Sequence, residues 1–324
     1  MKYKFKINKD EFKGPINLPL TIDSGQTGQP PWLKKGRYFQ ELIMVEDQPC
    51  LIGIRCSSDD VESSLVIEVE SPQNLELDKV KYLVKEIFGL NYDLNRLYKF
   101  LEDDPYLKPT IDFCKGLRLF KAHDPFECLI SSITSANNSI IRWNRSIRSM
   151  REKWGYKYDF STGNYYTFPH PDKILSVPEK DLEEMELCGG EKDLNECVNN
   201  LIACGVGYRS RYIRNAAWIV KNEMELDDFF NMDYEEAFNR LLQIPGVGPK
   251  VADCILLYGF GRMEAFPVDV WIKRIISKLY FDGKNVPVKK IRSFGMDEFG
   301  EYAGYVQLYL FHYARKSGLM KSLK

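Results

Sequence analysis

The sequence predicts a chain with two parts of different fold class: an α+β domain over residues 1–115, with an antiparallel sheet and helices, and a larger all-α domain over residues 116–324. Two observations predict this division. Up to about residue 80, short segments rich in β-branched and aromatic residues alternate with Gly- and Pro-containing turns, a pattern typical of strands. After about residue 115, apolar residues recur with helical spacing and the connections are short.

The first domain begins with predicted strands and continues with predicted helices. The strands include LPLTI (18–22), RYFQELIMV (37–45) and SSLVIEVES (63–71), separated by turn signals that contain Gly and Pro. Residues 78–90 and 92–102 follow with helical periodicity. Because a sheet must bury its apolar face, we expect these helices to pack on one side of it.

Helices dominate the second domain. Residues 125–155 predict one or two helices with a polar interruption, and residues 188–200 predict a polar loop. Asp124 is expected to cap the helix that begins at residue 125. The other predicted helices span residues 181–187, 209–224, 234–244, 250–260, 270–281 and 302–316.

Composition limits the classes of partner. The 324 residues carry 45 basic and 46 acidic side chains, a net charge of −1, so binding to nucleic acid requires a local basic face or backbone amides. No apolar run approaches the ~18 residues of a membrane span, and the N-terminus lacks the apolar core of a signal peptide. Eight cysteines without a Cys-x-x-Cys pair predict reduced thiols. We therefore expect a cytoplasmic protein with no membrane partner.

Residues 244–254, IPGVGPKVADC, join two predicted helices through a Pro-Gly-x-Gly turn. Glycine allows a positive φ and a close approach of the backbone to a partner. The first amides of the following helix have no intrahelical acceptor and point outward, so the turn is a candidate phosphate site without any excess of basic residues. The alternative is a plain tight turn between two packed helices.

Lys250 lies in the first turn of the helix that follows, where a cation opposes the helix dipole. This position favours the uncharged, nucleophilic amine, and a solvated lysine is the alternative. Asp269 follows 19 residues later, just before an apolar periodic run, and is a natural N-cap. One helix and one connection would bring both residues to the same cleft, where a carboxylate beside a nucleophilic amine suits chemistry through a cationic intermediate.

Two further segments combine polar and aromatic residues at predicted helix starts. SANNSIIR contains Asn137 and Arg142, which could bind base edges, although a polar helix cap is an equal alternative. CGVGYRSRYI places Tyr208 and Arg209 after a Gly-x-Gly turn. An aromatic wedge with an arginine suits a protein that distorts duplex DNA, and the alternative is a helix entry with a solvated basic face.

These segments together resemble the helix-hairpin-helix, Gly/Pro-Asp superfamily of DNA glycosylases. VADC after the lysine is similar to the 8-oxoguanine DNA glycosylase/AP lyase family in particular, and the resemblance covers about residue 15 to about residue 315. It implies an enzyme of base excision repair that flips 8-oxoguanine out of duplex DNA, preferably opposite cytosine, and excises it. The same enzyme would cleave the abasic strand by β-elimination through a lysine Schiff base.

The resemblance also implies a role for each motif residue. Lys250 is the nucleophile and Asp269 stabilises the charged sugar. In the base pocket, the Gly25 carbonyl detects the N7 hydrogen of 8-oxoguanine, Cys254 and Phe311 enclose the base, and Gln307 binds its Watson–Crick edge. The remaining implied contacts are Asn137, Arg142 and Arg209 with the opposite cytosine, Tyr208 as a wedge in the stack, and the amides of Gly246, Val247 and Gly248 with a phosphate.

The resemblance implies that the enzyme needs no redox cofactor and no catalytic metal. It allows at most a structural cation at the hairpin. Relatives that act on oxidised pyrimidines or mispaired adenine carry a four-cysteine iron–sulfur cluster after the hairpin, and this chain has no cysteine after Cys254. We expect a monomer that binds duplex DNA, associated with the nucleoid in a prokaryote. The alternatives are a glycosylase for another damaged base and a non-catalytic helix-hairpin-helix module.

Three departures from the family pattern bear on the site. The family usually continues Ser-Gly-Gln-Thr with Phe-Arg-Trp, whereas this chain has SGQTGQPPW, so the aromatic–basic pair is missing or displaced to around Trp32. Trp271 stands where eukaryotic members have histidine, which predicts that a phosphate contact is replaced. The segment 188–200 is longer than the family needs. The strictness for cytosine and the strength of the lyase step stay open.

Overall fold

The computed structural model describes residues 1–178 and 199–319 and has the two-part architecture that the sequence predicts. The first part is built on a five-stranded antiparallel sheet. Its strands are β1 (Lys2–Ile7), β2 (Leu33–Lys35), β3 (Tyr38–Val45), β4 (Gln48–Cys56) and β5 (Leu65–Glu70). Their order across the sheet is β1-β5-β4-β3-β2, which confirms the strands predicted over 37–45 and 63–71.

The strand prediction for LPLTI is wrong. These residues form a short helix, α1 (Leu18–Ile22), that leads into the Gly25 turn. The side chain of Asn17 caps the helix by accepting a hydrogen bond from Leu20 N at 3.1 Å, and Pro19 lies in the first turn, where proline is tolerated. These two local signals outweigh the β propensity of the segment.

Both faces of the sheet are covered, which is why five consecutive residues are buried in β3 and in β4 instead of every second residue. Helix α2 (Leu77–Ile87) packs on one face through three buried residues spaced about a turn apart. The opposite face is covered by a hairpin of β6 (Lys157–Phe160) and β7 (Gly163–Tyr166), whose Tyr165 packs on Leu42 of β3. The second part is therefore the predicted helical domain with one inserted hairpin.

The helices predicted within the described residues are present. The segment 125–155 forms two helices, and Asp124 caps the first by accepting from Phe126 N at 2.8 Å, as predicted. Helices over residues 110–113, 171–176 and 288–299 were not predicted. The helices after α2 are α3 (Leu94–Glu102), α4 (Thr110–Phe113), α5 (Pro125–Ser135), α6 (Ile140–Trp154), α7 (Pro171–Ser176), α8 (Arg209–Asn222), α9 (Tyr234–Leu241), α10 (Pro249–Phe260), α11 (Val270–Tyr280), α12 (Val288–Phe299) and α13 (Ala303–Lys316).

Helix α10 is the centre of the helical part. Its residues from 251 to 260 are all buried, because it is apolar all round and other helices enclose it. Asp253 is fully buried and binds Arg292 of α12 at 2.8 Å and the hydroxyl of Tyr234 at the start of α9. This cluster ties three helices together and fixes the direction in which the N-terminus of α10, with Lys250, meets the surface.

A buried ion cluster joins the sheet to the helices. Arg151 of α6 binds Glu127 of α5 and Glu41 of β3, each at 2.7 Å. Removing one partner of such a buried group typically costs about 3–5 kcal/mol, because the remaining charge loses its compensation. Helix α3 packs its leucines into the helical core rather than the sheet core. The domain boundary at residue 115 stays a prediction.

Some predictions concern residues that the structure does not describe. The helix predicted over 181–187 lies outside the described residues, as does most of the polar segment 188–200. Within residues 1–178 and 199–319, no helix combines the length and the apolar character needed to cross a membrane. The six cysteines in these ranges are free thiols.

Candidate active site

A cleft of about 1610 Å³ opens at the N-terminus of α10. The loop 135–139 between α5 and α6 lines it, together with α11 and the connection from α11 to α12. Lys250 and Asp269 both line this cleft. The structure therefore brings together the predicted nucleophile and the predicted carboxylate.

Lys250 is the second residue of α10 and lies where the buried helix reaches the cleft. Its amine lies close enough to the thiol of Cys254, one turn further along the same face, to act on that thiol electrostatically. Burial raises the pKa of the Cys254 thiol, and the positive charge of Lys250 opposes the rise. Cys254 is 3% exposed, so it is a neutral wall next to the amine.

Asp269 has two distinct contacts with its surroundings. It is the N-cap of α11, as predicted, because its Oδ1 accepts a hydrogen bond from Ile272 N at 2.8 Å. No hydrogen bond in the described part of the chain uses its Oδ2. Asp269 also lies close enough to Cys254 to act on the thiol electrostatically, as Lys250 does. The carboxylate is thus oriented by the cap and keeps one oxygen available to the cleft.

The hairpin offers two of the three predicted amides to a ligand. Val247 N donates to Ile244 O at 3.0 Å inside the turn, so this amide is not available to a phosphate, contrary to the prediction. Gly246 and Gly248 are exposed, and no hydrogen bond among the described residues occupies their amides. Gly248 is the N-cap of α10, with open space beside its Cα. Its amide therefore belongs to the outward-facing end of the helix dipole.

The Gly25 turn of the first part reaches the helical part. Gly25 has φ +87°, and a Cβ there would lie 2.6 Å from Ile140 Cδ1, so the position requires glycine. Arg315 donates to Ser24 O at 3.0 Å, and its guanidinium lies 5.6 Å from the ring centroid of Phe311, which lines the cleft. Arg315 was missed from the sequence, although it follows Phe311 by four residues on the same helical face.

Gln307 lies one turn before Phe311 on α13 and is 7% exposed. Its Oε1 is buried and has no hydrogen-bond partner in the described residues. An unpaired buried acceptor is costly, so this oxygen suits an N–H donor of a ligand. Two further side chains near Cys254, Cys128 and Tyr258, were not predicted; both interact with its thiol electrostatically.

The loop between α5 and α6 presents Asn137 to the cleft in the left-handed conformation, φ +50°, which asparagine tolerates. Arg142 in the first turn of α6 is exposed, and Tyr208 at the N-cap of α8 is 60% exposed. Arg209 differs, because it is 8% exposed and donates to Ala136 O at 2.9 Å and to Asn137 O at 3.1 Å. In this structure Arg209 binds the loop between α5 and α6. Its contact with the opposite base stays a prediction, and this contact requires the guanidinium to turn away from the loop.

The cleft has a local basic face, although the net charge of the whole chain is −1. Basic side chains outnumber the carboxylates that line it, which are Asp269 and Asp282. Only Lys250 among the basic residues was predicted, although the helical spacing of three others on α11 was a signal. The basic residues are Lys250, Lys273, Arg274, Lys278 and Lys284.

The two tryptophans singled out by the sequence have different positions. Trp271 lines the cleft, and the guanidinium of Arg274, which lies close to one turn further along α11, is 5.3 Å from its ring centroid. Trp32 is 2% exposed in the sheet core and packs on Phe88 and Phe120. Of the two alternatives, a displacement of the aromatic–basic pair to Trp32 does not agree with this position in the sheet core.

Comparison with known proteins places this site in a family. Residues 130–299 match the model of the HhH-GPD superfamily base excision DNA repair protein, and residues 5–129 match the 8-oxoguanine DNA glycosylase N-terminal domain. A probable N-glycosylase/DNA lyase of Methanothermobacter thermautotrophicus is 44% identical over 311 residues, which cover 96% of this chain and 97% of the relative. The N-glycosylase/DNA lyase OGG1 of Arabidopsis thaliana is 28% identical, over 91% of this chain and 76% of the relative.

A solved structure has the same architecture throughout. The crystal structure of the Clostridium acetobutylicum 8-oxoguanine glycosylase/lyase, in complex with double-stranded DNA containing cytosine opposite 8-oxoguanine, matches with a TM-score of 0.76 at 30% identity and covers 98% of both chains. This chain therefore belongs to the HhH-GPD superfamily of base excision DNA repair proteins. Within that superfamily it is a member of the 8-oxoguanine DNA glycosylase/AP lyase family, a DNA-binding N-glycosylase with lyase activity at abasic sites.

Proposed function

We propose that this enzyme excises 8-oxoguanine from duplex DNA, with preference for cytosine opposite the lesion, and then cleaves the abasic strand through a Schiff base on Lys250. The observation that carries the proposal is the grouping of Lys250, Cys254 and Asp269 at one end of a basic cleft. A buried helix presents the amine and a capped helix orients the carboxylate. Such fixed positions are what covalent catalysis by an amine requires.

The chemistry needs no group beyond the chain and water. Lys250 gives a proton to Asp269, its amine attacks C1′ of the sugar, and the glycosidic bond breaks; the electron pair leaves with the base, which receives that proton from Asp269. The nitrogen of the adduct gives a second proton to O4′ as the sugar ring opens, which leaves the protonated Schiff base. Removal of a C2′ proton then expels the 3′ phosphate, and water releases the lysine. Asp269 stabilises the positive charge on the sugar and accepts the proton that the amine loses.

Recognition uses the residues around the reacting amine. The extruded base lies between Phe311 and Cys254, and the unpaired Oε1 of Gln307 accepts a hydrogen bond from its edge. The carbonyl of Gly25 accepts from the N7 hydrogen that distinguishes 8-oxoguanine from guanine. On the other strand, Asn137 and Arg142 contact the cytosine while Tyr208 fills the stack, and Arg209 joins them if its guanidinium turns.

The hairpin binds one backbone phosphate through the amides of Gly246 and Gly248. The turn 244–248 offers backbone carbonyls and no carboxylate, a donor set that fits at most a loosely held monovalent cation, and no chemical step depends on it. We propose that the enzyme acts as a monomer without an iron–sulfur cluster. Its place of action is the cytoplasm, on nucleoid DNA if the source is prokaryotic.

Sodium borohydride trapping tests the proposal directly. A duplex with one 8-oxoguanine opposite cytosine is incubated with the wild type, with Lys250→Gln, and with Lys273→Gln as a matched control from the neighbouring helix. At saturating enzyme we expect a covalent adduct with the wild type and with Lys273→Gln, and none with Lys250→Gln. The same assay with adenine, guanine or thymine opposite the lesion measures the preference for cytosine.

Other outcomes distinguish the alternatives. Release of the base without an adduct would mean a monofunctional glycosylase in which Lys250 is misassigned. An adduct only with another damaged base would keep the mechanism and change the substrate. Binding without release or adduct on any lesion would leave the non-catalytic helix-hairpin-helix module.

A further inference from the structure

Ile141 is the most exposed large apolar side chain among the residues that the structure describes, at 74%. It is the second residue of α6 and follows directly the loop 135–139 that lines the cleft. A single exposed apolar residue is ordinary on a protein surface. Its neighbours make this one informative, because in the sequence it lies between Asn137 and Arg142, two of the three predicted contacts of the opposite base.

The start of α6 is fixed so that Ile141 faces outward. Ile140 points inward and contacts the Gly25 turn, and Trp143 is buried with its Nε1 donating to Ser131 Oγ at 2.8 Å. Ser139 caps the helix by accepting from Arg142 N at 3.2 Å. Because the inner face of this first turn is occupied and the turn is capped, Ile141 cannot rotate into the core.

One arginine connects Ile141 to the predicted wedge. Arg209 donates to the carbonyls of Ala136 and Asn137, in the loop that leads to Ile141, and its guanidinium lies 4.6 Å from the ring centroid of Tyr208. Tyr208 is 60% exposed. The exposed side chains of Ile141 and Tyr208 are thus linked through Arg209 and the loop that contains Asn137.

We propose that Ile141 is a second wedge, which enters the base stack of the strand opposite the lesion beside the wedge that Tyr208 forms. The inference rests on the proposed function, since it takes duplex DNA as the partner. Apolar side chains that insert between base steps unstack and kink the duplex. Insertion of the isoleucine into the stack removes apolar surface from water, which favours the complex. A polar residue at that position would stay hydrated.

The test compares Ile141→Ala with Tyr82→Ala, which removes a side chain that is 65% exposed on α2, in the sheet part. The probe is a duplex with a stable abasic-site analogue opposite cytosine and 2-aminopurine next to that cytosine. At saturating protein the wild type should raise the 2-aminopurine fluorescence as the base unstacks. We expect Ile141→Ala to lose at least about half of this rise, Tyr82→Ala to lose none, and Ile141→Leu to restore it.

A second readout uses single-turnover excision of 8-oxoguanine. Ile141→Ala should slow excision roughly tenfold in a fully paired duplex, and by no more than about twofold when a mismatch has already unstacked the step beside the opposite cytosine. Equal losses on both duplexes, or unchanged fluorescence, would overturn the second wedge. If the proposed function were wrong, the wild type would not excise 8-oxoguanine. The fluorescence comparison does not depend on excision, so it would still decide the role of Ile141.

Discussion

At the scale of single residues, Asp269 has two roles that one pair of substitutions separates. Its Oδ1 caps α11, and its charge is assigned to the reaction. Asparagine caps helices about as well as aspartate but carries no charge. We expect Asp269→Asn to keep the free energy of unfolding within roughly 0.5 kcal/mol of the wild type and to slow single-turnover excision by about 10²-fold. Chemical denaturation and excision kinetics measure the two effects.

Asp269→Ala is the matched comparison, because it removes the cap as well as the charge. It should lower the free energy of unfolding by a further ~1 kcal/mol and slow excision at least as much as Asp269→Asn does. If Asp269→Asn excised at the wild-type rate, Asp269 would be a helix cap only.

The residue types at the site could be predicted from the sequence, but several of their partners could not. Lys250, Cys254 and Asp269 lie together because one helix and one capped start place them, and spacing along the chain contains that information. Arg209 and Arg315 bind backbone carbonyls far away in sequence, and no local pattern encodes those contacts. The amide of Val247 is a different case, because it binds Ile244 O only three residues earlier and the geometry of the turn sets this contact.

At the scale of elements, the two glycines of the hairpin differ in backbone conformation and in steric surroundings. Gly246 has φ +90°, and a Cβ there would lie 2.5 Å from the ring of Tyr212, whereas Gly248 has φ −94° and open space around it. We expect Gly246→Ala to lower the free energy of unfolding by about 1–3 kcal/mol and Gly248→Ala to change it by less than about 0.5 kcal/mol. Chemical denaturation of both variants provides the measurement.

The two variants should also differ in how they affect binding to a duplex with an abasic-site analogue. Gly248→Ala places a methyl group where the backbone would approach a phosphate, so it should weaken binding while the fold stays intact. Unchanged affinity for Gly248→Ala at fixed salt would contradict the hairpin as a phosphate site and favour a plain tight turn.

Elements with strong periodicity were predictable, and elements governed by a few local contacts were less so. The helices α8 to α11 follow from apolar spacing and start near their predicted residues. LPLTI has the composition of a strand, but the cap at Asn17 and Pro19 in the first turn make it a helix. The hairpin of β6 and β7 was missed because it covers the outer face of the sheet, and its place depends on Tyr165 donating to Gln40 across the two parts.

At the scale of the whole molecule, the site is shared between the two parts. The Gly25 turn comes from the sheet part, and it is held against α6 by Ile140 and against α13 by Arg315. The Glu41–Arg151–Glu127 cluster fixes the same junction from the other side of α6. A pocket built across such a junction depends on long-range packing, so the sequence indicated its members through resemblance while the contacts that assemble them emerged only from the fold.

That dependence on packing predicts how stability responds to acid. His312 on α13 is 4% exposed, its Nδ1 has no partner in the described residues, and burial together with Arg315 and Lys316 lowers its pKa from 6.5 to about 4. Between these two values the unfolded chain binds a proton that the folded chain does not. The free energy of unfolding should therefore fall as the pH drops from about 6.5 to 4, by roughly 1–2 kcal/mol at pH 5 from this group.

Burial lowers the pKa of His123 to about 3, so this residue also decreases the free energy of unfolding as the pH falls. Denaturation curves at pH 7.5 and pH 5 measure the effect in the wild type, in His312→Gln, and in His170→Gln as the control at an exposed histidine. His312→Gln should reduce the loss between the two pH values, whereas His170→Gln should leave it unchanged. An equal loss in His312→Gln and the wild type would mean that the helix carrying Gln307 and Phe311 already admits water at His312, and the base pocket would then be looser than its packing indicates.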